Sequence, residues 1–287
     1  MLTHLNQEMK NPSRVVILGG KGFIGTEVTK RLMELNSNVL SLGRKELDLL
    51  SDKSVEILSE YLNPEDSLLV ISAEAPVKNN MMLERNIKIA SNICEAINIV
   101  KPNHMIYVSS DAVYADTKEL INEKSCAQPT SLHGVMHLTR ETMLVNHFSG
   151  PLGIIRPTLI YGLKDPHNGY GPNRFRRLAI KGEDVVLFGD GEELRDHIFI
   201  DDVVKLIVNM LLHRSKGILN AATGNVITFF ELAEIIVSRF SNNSRILCTE
   251  RSGLIPHNGY RAFNSSNTFK AFPEFTYTDI REWIQEN

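Results

Sequence analysis

The chain has 287 residues, 43% of them apolar, enough for one large domain or a domain with an appended lobe. A formal net charge of −3, with no long Lys or Arg run, argues against a nucleic-acid or membrane-surface partner. No stretch reaches the ~18 consecutive apolar residues of a transmembrane helix. Cys94, Cys126 and Cys248 are too scattered for a disulfide framework or a Cys-based zinc site, so a soluble, cytoplasmic protein is expected.

The polar start, "MLTHLNQEMKNPSR", reads as a loose arm and lacks the apolar stretch of a signal peptide. "RVVILGG" then predicts a strand, and Phe23 to Leu35 a helix with Ile24, Val28, Leu32 and Leu35 on one face. "NVLSL" is a second strand. The helix after it, around Val55, Leu58 and Leu62, has Ser51 as its candidate N-cap. "SLLVIS" predicts a third strand, and about Asn80 to Val100 a helix with Ile87, Ala90, Ile93, Cys94 and Ile97 inward. "HMIYVSS" is a fourth strand, Ser131 to His147 a helix, and "LGIIRP" a fifth strand. Strict alternation of strand and helix implies a parallel sheet covered on both faces, the doubly wound α/β (Rossmann) fold.

After Tyr161 the texture changes: "GLKDPHNGYGPN" reads as a long functional loop or a lobe boundary. A helix near Arg174–Lys181, a strand "VVLF" and a helix from Asp201 to His213 follow, and "GILNAAT" is placed to return to the main sheet. The expected division is a Rossmann domain over 12–165 with return segments near 197–224, and a smaller α/β lobe from 166–196 and 225–287. The aromatics of "FPEFTY" are expected in the core of that lobe. His104, His147, His167 and His257 read as ordinary surface or satisfied core residues.

The first strand–helix junction, "VVILGGKGFIG", carries Gly19, Gly22 and Gly25, and Gly20, Gly22 and Gly25 also satisfy G-x-G-x-x-G. Glycines there permit a tight turn and let the backbone approach a pyrophosphate. The anion then sits at the N-terminus of the helix, where Phe23 and Ile24 lie. Which dinucleotide binds is decided where the second strand ends. An Asp or Glu there holds a ribose 2′-OH; a 2′-phosphate needs a cation and no acid. Arg44, with Lys21 nearby and no acid read at the strand end, favours NADP(H) over NAD(H), with Asp48 and Leu49 flanking the adenine. The alternative is that Arg44 is a solvated surface charge.

With these motifs in view, the chain resembles the extended short-chain dehydrogenase/reductases, the NAD-dependent epimerase/dehydratase family acting on nucleotide sugars. The resemblance covers nearly everything from Val15 onward and rests on "GGKGFIG", "YVSSDAVY", "RPTLIYG" and "FGDGEELRDHIFIDDVV". It implies a homodimer that binds a nicotinamide dinucleotide and a nucleoside-diphosphate sugar. It also implies a Ser or Thr that hydrogen-bonds the reacting oxygen, matched by Ser110, and an acidic residue in the dehydratases, matched by Asp111. Tyr114 matches a loop tyrosine lining the substrate cleft; Asn173 and Arg195 match diphosphate ligands, and Arg261 is a weaker candidate for the same anion. The alternative for Arg195 is a brace to Asp196 or Asp201.

The departure lies in "SLHGVMHLTRE". Where the family places Tyr and, four residues on, Lys, this chain has His133 and His137. Residues four apart share a helix face, and three readings stay open. His133 is the acid/base, its unperturbed pKa of ~6.5 suiting proton transfer near neutrality, with His137 donating to the nicotinamide ribose. Or the site binds without redox chemistry, or Asp111 works with another group. Or the pair chelates a metal, although no third ligand is evident. Tyr114 and Lys118 also satisfy Y-x-x-x-K, but in a loop. The expected function is an NAD(P)-dependent nucleotide-sugar epimerase, dehydratase or reductase. The alternatives are a catalytically impaired binding protein and a reductase of a non-nucleotide carbonyl compound.

Overall fold

Five of the apolar runs become adjacent parallel strands, and "GILNA" adds a sixth at one edge. In chain order the elements are β1 (Arg14–Leu18), α1 (Phe23–Glu34), β2 (Val39–Leu42), α2 (Ser54–Tyr61), β3 (Asp66–Val70), α3 (Asn80–Ile99), β4 (His104–Val108), α4 (Leu132–His147) and β5 (Leu152–Pro157). They are followed by β6 (Leu159–Tyr161), α5 (Pro172–Ile180), β7 (Val185–Phe188), β8 (Leu194–Phe199), α6 (Ile200–Leu212) and β9 (Gly217–Ala221). The chain continues through β10 (Val226–Thr228), α7 (Phe229–Phe240), β11 (Ile246–Thr249), β12 (Tyr260–Arg261), α8 (Ser266–Ala271) and α9 (Ile280–Glu286). This computed structural model describes every residue except Met1, His167, Ser241 and Asn242, so the reading of His167 lies outside the described residues.

The main sheet runs β2-β1-β3-β4-β5-β9, all parallel. β3 and β4 are buried along their whole length, as strands covered on both faces must be. Val28 and Leu32 of α1 and the apolar face of α6 cover one side. Leu58 of α2, Ile89, Ile93 and Ile97 of α3 and Leu144 of α4 cover the other. Strand order reverses between β1 and β3, so the crevice beyond their C-terminal ends is where such a fold places a ligand.

Several local expectations change. The inward face of α3 includes Asn86 and Asn92, while Ile87 is only half-buried. Both asparagines are held inside because they satisfy backbone groups: Asn86 serves the N–H and C=O of Glu74, and Asn92 the carbonyl of Leu49. α2 starts three residues past Ser51, with Lys53 at the N-cap position and no side-chain cap. The N-terminal arm is not loose. Thr3 and Lys216 exchange two backbone bonds of 2.9 Å, and His4 bonds Ser215 Oγ and the Ala271 carbonyl while stacking on His213.

A second sheet, β10-β8-β12 with β6 on β8, is built from segments that the sequence pattern showed poorly. β8 falls inside "ELRDHIF", so the boundary expected near 197 cuts through a strand. β7 and β11 pair separately, and α5, α7 and α9 share a core that includes Phe175, Leu232 and Trp283. Phe272 and Phe275, expected in that core, pack instead with α1 and α6 against the main sheet. Among the described residues no helix is long and apolar enough to cross a membrane.

Candidate active site

The turn from β1 into α1 depends on glycine. Gly19 has φ +87°, and a Cβ on it would lie 2.8 Å from the backbone nitrogen of Ser72; a Cβ on Gly25 would lie 2.2 Å from the Gly19 carbonyl oxygen. Gly22 is the N-cap, offers no side-chain acceptor, and is followed by no acid in the first turn. The N–H groups of Phe23, Ile24 and Gly25 bond no acceptor among the described residues. An open helix N-terminus that the backbone can approach fits a pyrophosphate.

At the end of β2, Arg44 is exposed and sits 3.6 Å from Asp48, a loose ion pair. Lys21 lies over Gly43, where a Cβ would meet its Cγ at 2.5 Å, so both cations flank this strand end. The expectation of no acid here is corrected by Glu46, whose carboxylate folds back to accept from the Gly43 N–H at 2.8 Å. That bond, with Lys21 and Lys45 nearby, holds its pKa below the usual value. Asp48 accepts from the Leu50 N–H at 3.1 Å. The Leu49 side chain turns into the core beside α3, and its carbonyl accepts from Asn92, so no more than its backbone is left to border the crevice.

The helix with the two imidazoles is positioned by its first turn. Ser131 Oγ accepts from the Gly134 N–H at 3.1 Å as the N-cap. A Cβ on Gly134 would lie 2.0 Å from the Ala112 carbonyl, so only glycine lets α4 come this close to the 3₁₀ turn at Asp111–Val113. Ser110, at the head of that turn, accepts from the Ala112 N–H at 3.2 Å and lies 3.3 Å from Asp111 Oδ1. His133 is half-buried, and its ring stands edge-to-face with that of His137 at 4.7 Å between centroids.

His137 is buried, with Nδ1 2.8 Å from the hydroxyl of Tyr107. Burial, helped by His133 and Arg140, holds its pKa well below 6.5. Arg140 is itself fully buried; it donates to the Ser72 carbonyl at 2.7 Å and to Asn86 Oδ1 at 3.4 Å. Glu141 receives Arg156 through two bonds, 2.9 and 2.5 Å, and Ser109 Oγ at 2.5 Å. Arg156 in turn stacks on Tyr114. Tyr114 therefore does not line a cleft: it is 1% exposed, and its hydroxyl donates to Asn220 at 2.7 Å. Lys118 lies outside any helix, so the loop Y-x-x-x-K has no helical geometry.

On the lobe side, Arg261 is buried and bonds Asp111 Oδ2 at 3.0 Å and Asp116 Oδ1 at 3.3 Å. His257, read as ordinary, lies 2.5 Å from the same Asp116 oxygen and 3.0 Å from Arg261. Arg261 thus braces the β4 loop against β12, and its guanidinium is occupied where a diphosphate contact was expected. Asn173 is likewise engaged, accepting from the Gly162 N–H at 3.1 Å and donating to Asp165 at 2.7 Å. Arg195 pairs with neither Asp196 nor Asp201; it donates to Glu193 at 2.8 Å and to the Pro256 carbonyl at 2.9 Å.

Sequence reasoning missed Arg251, which holds the other oxygen of Glu193 at 2.6 Å. No spacing in the polar stretch around it would have marked it. Arg195 Nη1 and Arg251 Nε are buried and bond no acceptor among the described residues.

A doubly wound sheet with an open glycine-rich helix N-terminus at its switch point, faced by a smaller lobe carrying buried arginines, defines a Rossmann-type, dinucleotide-dependent class of protein. Residues 15–222 match the NAD dependent epimerase/dehydratase family, and the chain belongs to it. It is 28% identical over 247 residues to a putative UDP-glucose 4-epimerase of Methanocaldococcus jannaschii, covering 77% of this chain and 81% of that one. Among solved structures, the UDP-glucose 4-epimerase of Thermotoga maritima with UDP-glucose superposes with a TM-score of 0.82 at 18% identity, covering 95% of this chain and 96% of that one. A GDP-L-fucose synthetase of Naegleria fowleri bound to NADP gives 0.82 at 17% identity, covering 100% and 96%.

Proposed function

We propose that the protein is an NADP(H)-preferring enzyme that epimerises, dehydrates or reduces a nucleoside-diphosphate sugar. The observation that carries the substrate class is the Arg195–Glu193–Arg251 cluster, in which one buried and one half-buried guanidinium share a carboxylate and each keeps a buried N–H without an acceptor among the described residues. A diphosphate supplies acceptors of the right geometry and charge for such a pair. The Phe23–Gly25 N–H groups would hold the dinucleotide pyrophosphate, and Lys21 and Arg44 a 2′-phosphate. Glu46 is already committed to the Gly43 N–H, which limits its competition for the ribose. A nicotinamide, when bound, supplies hydride-transfer chemistry.

The chain's own residues manage the sugar oxygen. Ser110 Oγ would hydrogen-bond it, and His133 would exchange its proton. Asp111 is the weaker proton carrier because its carboxylate is spent on Arg261.

Calorimetric titration against matched UDP-sugars, GDP-sugars and free sugars tests the reading. Arg195→Ala and Arg251→Ala should each weaken the nucleoside-diphosphate sugar by roughly 10- to 150-fold, the worth of a charge-assisted bond of ~1.5–3 kcal/mol. Binding of the free sugar should be unchanged. Equal losses for both ligands would assign the arginines to bracing. Binding of nucleotide sugars with no turnover, with either cofactor present, would make the protein a binding protein.

A further inference from the structure

Behind the imidazole pair lies Tyr107, the first residue of "YVSSDAVY", to which the motif itself assigns no role. Tyr107 rises from the middle of the main sheet, 1% exposed, and its hydroxyl lies 2.8 Å from His137 Nδ1. No other described group bonds either atom. A phenol carries one hydrogen, and Nδ1 of a neutral imidazole either carries one or accepts one. Were Nδ1 protonated, the ring would donate to the phenol oxygen and the phenol's own hydrogen would be stranded in the core. With the phenol donating, both atoms are satisfied and the one N–H of the ring sits on Nε2.

Arg140 disfavours the remaining option, a doubly protonated ring. Its guanidinium lies one helical turn from His137 and 5.2 Å from the Tyr107 ring centroid, and bonds the Ser72 carbonyl, Asn86 Oδ1 and Met136 Sδ. None of these is a carboxylate. The next carboxylate along α4, Glu141, is taken by Arg156 and Ser109. An imidazolium at 137 would face an unneutralised guanidinium on one side and the His133 ring on the other.

We infer that Tyr107 is a positioning residue that fixes His137 as the Nε2–H tautomer, a permanent hydrogen-bond donor, so that of the two imidazoles only His133 exchanges a proton. This inference rests on the reading of α4 as the reacting face. Burial acts in the same direction, pushing the Tyr107 hydroxyl up to about 12 and His137 well below 6.5. The two histidines, alike in sequence, thus have opposite duties: one holds its proton, and the other passes one.

The test is ¹⁵N NMR of histidine-labelled full-length protein, with His137 assigned through its backbone resonances. At pH 7 its Nε2 should show a protonated, pyrrole-type shift and its Nδ1 an unprotonated, pyridine-type shift, neither titrating between about pH 5.5 and 8. Tyr107→Phe should abolish the tautomer preference and populate Nδ1–H. A wild-type His137 protonated on Nδ1, or on both nitrogens, would overturn the inference, as would a Tyr107→Phe spectrum with the tautomer unchanged. If Tyr107→Phe fails to fold, the wild-type spectrum alone decides. The readout involves no substrate, so it stands or falls separately from the proposed enzymatic activity.

Discussion

The two ends of the candidate site are built from different materials. At the cofactor end the groups open to a ligand are backbone N–H donors at the turn of Gly19, Gly22 and Gly25, and the Arg44 side chain there is exposed and loosely paired. At the reacting end the groups are side chains, locked from behind by Tyr107, Arg140, Glu141 and Arg156, all buried. A backbone-built site needs few residues to be right and tolerates change around them. A side-chain-built site depends on every partner, because each deletion leaves another buried group unsatisfied.

Glu141→Ala should show this contrast most strongly. It removes the carboxylate that holds Arg156 through two bonds and Ser109 through a third, leaving a buried guanidinium unpaired. Breaking a buried pair in this way costs ~3–5 kcal/mol. Urea unfolding should register that loss; a change under ~1 kcal/mol would mean that the network is not cooperative.

Acid should sharpen the contrast, since buried imidazoles lie on β4 of the main sheet and β8 of the second sheet and none lies at the glycine turn. His104 and His197 are pushed down to about 4 by burial, from 6.5 when unfolded. As pH falls through that window the unfolded chain takes up protons that the folded chain refuses, so stability is present above ~6.5 and is lost toward ~4. The loss is on the order of 3 kcal/mol for each group. Asp196, pushed up to about 6 by burial, has the opposite sign and offsets part of the loss below that pH. His104→Gln, which can still donate to the Ser215 carbonyl, should flatten the acid limb of a stability profile. An unchanged limb would show that His104 is neutral in neither or both states alike.

The smallest effect is expected at the cofactor end. Arg44→Ala should reduce the preference for NADPH over NADH by about tenfold while leaving NADH affinity nearly untouched, because the pyrophosphate is held by backbone. Titration of both cofactors measures the ratio. A large loss of NADH binding would contradict the contrast drawn between the two ends.

This contrast also explains what the sequence revealed. The alternation of strands and helices, the glycine turn and the helix that carries both imidazoles are legible because they depend on local periodicity and on residues adjacent in the chain. What could not be read was pairing over long separations: Arg261 with Asp111, Arg251 with Glu193, Tyr114 with Asn220. Tyr114 and Arg261 were placed at the ligand by resemblance, and the structure uses both as braces, since a buried hydroxyl or guanidinium must bond whatever the fold brings near. Glu46 was missed for a related reason. Glu46 lies three residues beyond Gly43, at the strand end, and reaches it only because the chain folds back there.

The most direct test of the account is single-turnover hydride transfer at saturating NADPH to a 4-keto nucleoside-diphosphate sugar, comparing the parent with His133→Phe. Proton transfer by a positioned side chain contributes roughly 10²–10⁴-fold, so the variant should be slower by that factor while binding NADPH as the parent does. A variant that turns over at the parent rate would show that the His133 imidazole takes no part in the chemistry.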